Sequence, residues 1–285
     1  MNQFLAIEIG LALMYVVCLI YILKKDKSMM LFFVSSTFYA LLFENMNILL
    51  SYNSIGGYYY NSNFEIFIAH LPLFVALAWS IIIYTSLKIA SSLGLKKSSI
   101  PFAAALLVLL VDLAIDVVAI RLNYWFWIGY NFREGYFGVP ANNFIGWLLV
   151  SFTWFYFDQR FNPKKAWLKY FFMPFLSYFA FFVIFILISF TESLFALDKT
   201  NQLLVLCFLL LTFFIFLRKE RKVSKIDYTI YLLRVPFYFF GVFFLMKEKM
   251  YEENVLLLLF SIIFIAVEVA LVLGERNVFA KKDNK

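Results

Sequence analysis

Long apolar stretches alternate with short polar segments along the whole chain. Each stretch is about 17 to 23 residues long, the length that a helix needs to cross the hydrocarbon core of a bilayer. The pattern therefore predicts an all-α, polytopic transmembrane helical bundle of about nine spans (range seven to nine), forming a single membrane domain over residues 1–285. The predicted spans cover roughly residues 3 to 23, 29 to 50, 64 to 87, 100 to 120, 141 to 157, 169 to 191, 201 to 217, 228 to 246 and 254 to 273.

Basic residues mark alternate connections between these spans. Most of the 25 Lys and Arg residues follow the first, third, fifth, seventh and ninth spans. Because cytoplasmic loops are enriched in Lys and Arg, the N-terminus is predicted to lie outside and the C-terminus in the cytoplasm. Arg234 and Pro236 interrupt the eighth span, but this span is needed to keep the basic connections on alternate sides of the membrane. No Lys or Arg precedes the first span, which is expected to be a retained anchor rather than a cleaved signal peptide.

Composition narrows the chemistry further. Hydrophobic residues make up 64% of the chain and the mean hydropathy is +0.84, which excludes a soluble globular protein. One histidine and two isolated cysteines cannot build a haem, di-iron or zinc site, so no metal is expected. The net charge of +7 is attributed to the loop residues that fix topology. Membrane lipid, and not nucleic acid, is the expected partner.

A few ionisable side chains fall inside the predicted spans, where each costs about 2.5–3.5 kcal/mol to insert. Four of them are predicted to share one layer near the outer ends of three helices, and two asparagines join that layer from a fourth: Glu44, His70, Asp112, Asp116, Asn142 and Asn143. Glu8 and Glu268 are interpreted with equal weight as packing hydrogen-bond acceptors, or as a partner of Arg234, and as functional groups. Without a titrating neighbour, His70 is first interpreted as a structural side chain near a helix bend.

Asp112 and Asp116 lie four residues apart, so they share one helix face with Cβ atoms roughly 5–6 Å apart. Two carboxyl groups so close in a poorly solvated place do not both ionise readily. The pair is therefore predicted to hold a proton at neutral pH and to be able to deliver it, as a general acid must.

The longest external connection, residues 121–140, is rich in aromatic side chains and glycine. Tryptophan and tyrosine at this position also serve as ordinary interfacial anchors. Gly129, Gly135 and Gly138, followed by Pro140, additionally indicate a defined loop that folds back over the helix ends. An aromatic lid above paired acids suits a carbocation, because ring faces attract positive charge.

Two blocks of sequence resemble a known family. The first contains Asp116, Trp125 and Trp127, then Gly135 to Pro140, then Asn143 to Trp147; the second contains Glu44, Gly56 to Tyr60, and Leu71 to Trp79. Together they resemble the carotenoid-biosynthesis integral membrane proteins, a family that includes hydratases of acyclic carotenoids such as the bisanhydrobacterioruberin hydratases. The resemblance covers about residues 44 to 157.

The resemblance implies a cofactor-independent hydratase that adds water to a terminal isoprenoid double bond of a long carotenoid, in the plasma membrane of a prokaryote. Asp112 or Asp116 would protonate the alkene, Glu44 or the other aspartate would activate water, and Asn143 would hydrogen-bond the water or an acid. The predicted substrate-binding side chains are mostly aromatic: Tyr58, Tyr60, His70, Trp79, Trp125, Trp127, Tyr136 and Trp147. Association with other carotenoid-pathway enzymes is left open.

Three alternatives stay open. The same protonated end group could close into a ring, as in a lycopene-type cyclase. The spacing of Asp112 and Asp116 also fits a prenyltransferase, although that chemistry normally needs two aspartate-rich magnesium sites. A proton-coupled transporter or a non-catalytic membrane subunit would explain buried acids as well, but the chain lacks the internal repeats typical of transporters.

Overall fold

The computed structural model describes residues 2–162, 164–194 and 227–283, and these residues are mostly helical. The helices, in chain order, are α1 (Gln3–Lys25), α2 (Met30–Ser51), α3 (Leu73–Ser92), α4 (Ile100–Arg121), α5 (Ala141–Arg160), α6 (Ala166–Leu194), α7 (Tyr228–Leu232), α8 (Val235–Lys247), α9 (Met250–Glu253) and α10 (Val255–Asp283). Short 3₁₀ turns, Lys27–Met29 and Lys97–Ser99, precede α2 and α4.

Within the described ranges, six helical segments are long and apolar enough to cross a membrane: α1, α2, α3, α4, α6 and the pair α7–α8. The fifth predicted span is present as α5, but its polar residues, among them Asn142 and Asn143, place it outside this group. The apolar part of α10 is shorter, Val255–Ala270. The seventh predicted span, residues 201 to 217, lies outside the described residues. The chain is therefore a polytopic helical membrane protein, while the number of spans and the orientation of the termini stay predictions.

Five helices close into a ring. α2 packs on α3, α3 on α4, α4 on α5, α5 on α6, and α6 returns to α2, while α1 lies against α3 and α8 against α4. Large buried aromatic side chains fill one half of the ring. Tyr39 on α2 stacks on Trp154 of α5 at 4.7 Å between ring centroids, and its hydroxyl donates to the Val150 carbonyl at 3.0 Å.

The eighth predicted span is interrupted where the sequence indicated. α7 ends at Leu232 and α8 begins at Val235, with Pro236 in its first turn. Proline is tolerated there because backbone N–H groups in the first turn of a helix have no acceptor within the helix. Arg234, between the two helices, is buried and donates to Glu268 of α10 and to the hydroxyl of Ser86. Of the two interpretations given to Glu268, the structure supports that of partner to Arg234.

Glu8 has a structural role of its own. Its carboxylate accepts the backbone N–H groups of Glu65 and Ile66, each at 3.1 Å, and so fixes the connection between α2 and α3 to α1. This contact explains why an acidic side chain is retained on an otherwise apolar helix.

Short strands cover one end of the ring. β1 (Tyr58–Tyr60) pairs antiparallel with β4 (Trp125–Trp127), which joins the connection between α2 and α3 to the connection between α4 and α5. β2 (Phe67–Ile68) pairs with β3 (Leu71–Pro72) in a small hairpin. The predicted all-α fold therefore carries two small sheets.

The hairpin corrects the predicted start of the third span. The apolar run from residue 64 does not begin a helix: α3 starts at Leu73, after Pro72. Phe64 and Leu71 are buried, whereas Ile66, Phe67 and Ile68 are exposed, so packing on the helices accounts for only part of the apolar run. His70 lies in the exposed turn of this hairpin, so the prediction that it falls inside the third span was wrong.

Candidate active site

A cavity of about 700 Å³ lies inside the ring beneath the paired strands β1 and β4. Its wall comes from α1 to α6, from α8 and from both strands. Nine of the predicted site residues line it: Glu44, Tyr58, Tyr60, Trp79, Asp116, Trp125, Trp127, Asn143 and Trp147. Residues that are far apart in the sequence thus meet in one place.

The paired aspartates lie one turn apart on α4 and are 0% (Asp112) and 3% (Asp116) exposed. The side-chain amide of Asn143 donates to Oδ2 of Asp116 at 2.7 Å and to Oδ2 of Asp112 at 3.2 Å. Asn143 stands in the first turn of α5, directly after the turn that ends at Pro140. The glycine-rich loop therefore places the amide that bridges both acids, and Asp116 is the member of the pair that faces the cavity.

The two carboxyl groups lie side by side, because the amide nitrogen of Asn143 binds one oxygen of each. Oδ1 of Asp112 is buried and accepts no hydrogen bond from any described residue. An unsatisfied buried carboxylate oxygen is costly, and two adjacent carboxylates repel each other. One proton on Asp112, donated to Asp116, removes both penalties, so the geometry suits a pair that shares a proton.

Glu44 presents a different arrangement. Its Oε1 accepts the indole N–H of Trp79 at 2.8 Å, and its Oε2 accepts the hydroxyl of Tyr58. With one donor on each oxygen, the side chain is bound as an ionised carboxylate would be. Burial and the adjacent Glu44 raise the pKa of Tyr58 well above its ordinary value, so this phenol remains a donor throughout the physiological range.

Aromatic rings surround the space between the acids. Trp79 stacks on Trp147 with centroids 3.9 Å apart. Across the strand pair, Tyr58 packs on Trp127 at 4.9 Å and Tyr60 on Trp125 at 5.8 Å. The ring faces offer an electron-rich surface that attracts a cation without attacking it.

Two predicted substrate-binding residues lie apart from the cavity wall. His70 is exposed in the hairpin turn, where its backbone N–H donates to Asn45. Tyr136 packs on Phe144 of α5 and Phe260 of α10, with centroids 5.3 and 5.9 Å away. Its ring supports the first turn of α5 from outside.

Several wall residues carry no sequence signal. They come from helices that the motifs do not include: Ile7, Gly10, Leu11 and Met14 on α1, Phe181, Phe182, Phe185, Ile186 and Ser189 on α6, and Phe237 and Phe240 on α8. Apolar residues facing a cavity have the same composition as those facing lipid or core, so hydropathy does not separate them. Among the described residues, no three His, Cys, Asp or Glu side chains are placed to hold a metal ion.

The helices are those of a polytopic membrane protein, and they enclose a largely apolar cavity with an acid pair, a separate carboxylate and aromatic walls. The family follows from sequence comparison: a profile of the carotenoid biosynthesis proteins matches residues 3–218, so the chain belongs to that family, as its motifs predicted. No curated protein and no solved structure matches the chain. The protein is thus a membrane protein of carotenoid biosynthesis, and the family suggests an enzymatic role.

Proposed function

We propose that the protein is a carotenoid hydratase that adds water to a terminal trisubstituted double bond of an acyclic carotenoid, without a cofactor, in the plasma membrane of a prokaryote. The observation that carries this proposal is the bridge from Asn143 to both Asp112 and Asp116 at the wall of an aromatic cavity. Alkene hydration needs a strong proton donor in a dry place, and a buried carboxyl pair can supply one.

The first step is protonation of the alkene. The shared proton passes from Asp112 to Asp116, which faces the cavity, and Asp116 gives it to the less substituted alkene carbon, where a C–H bond forms. The positive charge then rests on the neighbouring tertiary carbon. Trp79 and Trp147, stacked on each other, and Trp127 stabilise this cation through their ring faces.

Water capture is the second step. A water molecule bonds to the tertiary carbon through oxygen and gives a proton to Glu44, whose oxygens already accept two hydrogen bonds. Transfer of that proton back to the aspartate pair restores the starting state, so the sum of the steps is addition of one water. Polar side chains on the wall offer water its hydrogen bonds: Asn47, Ser51, Ser54, Asn142 and Asn143.

The same polar wall favours hydration over the alternative of ring closure. A cyclase has to keep water away from the cation, whereas this cavity has amides and hydroxyls beside the acids. Ring closure leaves the substrate mass unchanged, and hydration adds the mass of one water at each end that reacts.

The test is expression in a bacterial host that accumulates lycopene, followed by mass analysis of the extracted pigment. We expect products heavier by one or two waters, and we expect Glu44→Gln to abolish them. Unchanged pigment with the unmodified protein would refute hydration of this substrate. A cyclic product of unchanged mass would establish the cyclase instead.

A further inference from the structure

The cavity is shorter than the substrate proposed for it. Its wall covers at most about two helical turns of a helix, for example Phe74 to Ile82 on α3 and Asn142 to Val150 on α5, or roughly 12 Å at 1.5 Å per residue. Beyond this depth the ring is filled by the stack of Tyr39 on Trp154. A linear carotenoid is comparable in length to the bilayer core of roughly 30 Å. Only one end of such a chain fits inside, so the remainder must leave sideways.

Two exposed apolar side chains line the cavity, one on α2 and one on α6. The two helices contact each other in their N-terminal halves, where Phe38 packs on Phe175 with centroids 5.8 Å apart. Farther along, both helices line the cavity. Leu50 on α2 and Ile186 on α6 belong to the cavity wall and yet are 55% and 48% exposed, so they border the cavity and the outside at once.

The side of α1 is more closed. Its wall residues Ile7, Leu11 and Met14 are partly buried and pack on the hydrophobic core. Gly10, between them, is the point on α1 where a larger side chain would find free space. Among the cavity-lining side chains on the helices, Leu50 and Ile186 are therefore the exposed apolar ones, and Ile55, in the connection after α2, is exposed as well.

We propose that Leu50 and Ile186 frame a lateral opening through which the long apolar part of a linear isoprenoid extends from the active site into the lipid. The identity of the ligand rests on the proposed function. In this arrangement the protein recognises one end group and does not measure chain length. Acyclic carotenoids of C40 and C50 length should then react equally well at their ends.

The experiment narrows the opening with a large side chain and measures binding separately from reaction. Ile186→Trp is compared with Leu187→Trp, a neighbour on α6 that is exposed but does not line the cavity. Each variant is purified in detergent from the lycopene-accumulating host, and bound polyene is measured by its visible absorption per mole of monodisperse protein. We expect at least ten-fold less bound pigment with Ile186→Trp and an unchanged amount with Leu187→Trp.

A short probe separates blockage of the opening from damage to the site. The ten-carbon alkene 2,6-dimethyl-2-octene carries the same end group and fits inside the cavity, so Ile186→Trp should lower its hydration at least ten-fold less than it lowers the hydration of lycopene. If the unmodified protein binds lycopene but hydrates neither compound, the proposed function is refuted and the proposal of a lateral opening is retained. Equal pigment binding by Ile186→Trp and the unmodified protein would overturn the opening. Loss of binding with Gly10→Trp alone would do the same, because the exit would then lie beside α1.

Discussion

Replacement of Asp116 by asparagine tests the acid directly. The substitution keeps the shape of the side chain, and the amide oxygen can still accept the hydrogen bond from Asn143, now 2.7 Å from Oδ2 of the acid. The new amide N–H can donate to Asp112, so the buried network stays satisfied. What disappears is the transferable proton at the cavity wall.

General acid catalysis contributes about 10²- to 10⁴-fold to the rate, which corresponds to roughly 2.7–5.4 kcal/mol of activation free energy. We therefore expect Asp116→Asn to lower hydration by this factor without loss of folded protein. Asp112→Asn should also lower it, by at least about ten-fold, because a permanent amide donor replaces the shared proton. The assay is product per mole of monodisperse protein, measured by mass analysis.

Asp158→Asn is the matched control. Asp158 stands at the far end of α5, where it pairs with Lys169 at 2.7 Å, and it does not line the cavity. This variant should keep the unmodified rate. If Asp116→Asn retained more than a tenth of the activity while Asp158→Asn behaved as expected, Asp116 would not be the proton donor and the reasoning from the buried pair would fail.

Three further predictions concern stability, each measured by thermal unfolding in detergent. Gly135→Ala should destabilise the fold by about 2 kcal/mol or more, because the φ of Gly135 is +58° and a Cβ would lie 2.3 Å from a backbone oxygen. The control Gly146→Ala should not destabilise the fold, because a Cβ at Gly146 meets nothing within 4 Å. Arg234→Met should cost about 3–5 kcal/mol by removing the cation paired with the buried Glu268, to which only the hydroxyl of Tyr238 would still donate among the described residues. Arg234→Met with Glu268→Met should recover most of this loss, and no recovery would contradict the pairing. Burial raises the pKa of Tyr124 to about 12, so its contribution to stability is present below pH about 10 and lost as the pH rises to 12. Tyr124→Phe should flatten that loss without lowering stability at pH 8, because the hydroxyl has no hydrogen-bond partner among the described residues.

The sequence predicted the parts of the site that depend on local geometry. The spacing of Asp112 and Asp116 fixes them on one helix face, and the turn before Pro140 sets where α5 starts, so the acid pair and the position of Asn143 could be predicted together. The partners of Glu44 could not be predicted by spacing. Tyr58 and Trp79 reach it from a strand and from another helix, and only the tertiary packing brings them together.

Apolar runs predicted helix boundaries less well than residue spacing predicted the acid pair. The run from residue 64 to 87 was predicted as one span, but its first part contains a hairpin in which Leu71 is buried and Phe67 and Ile68 are exposed. Buried loop residues and membrane-facing residues have the same hydropathy, so the run alone could not show where α3 begins. For the same reason, the wall residues of α6 and α8 carried no signal.

The buried guanidinium of Arg234 bears on how the protein can be shortened. It lies beyond residue 218, where the family match ends, yet it donates to the hydroxyl of Ser86 at 2.8 Å and to the carbonyl of Leu107 at 2.9 Å, both on matched helices. A truncation designed from sequence similarity would strip these groups of their donor inside an apolar interior. We expect that only a polypeptide reaching at least Glu268 will be expressed in folded form, because residues beyond the family match contribute to the buried interior.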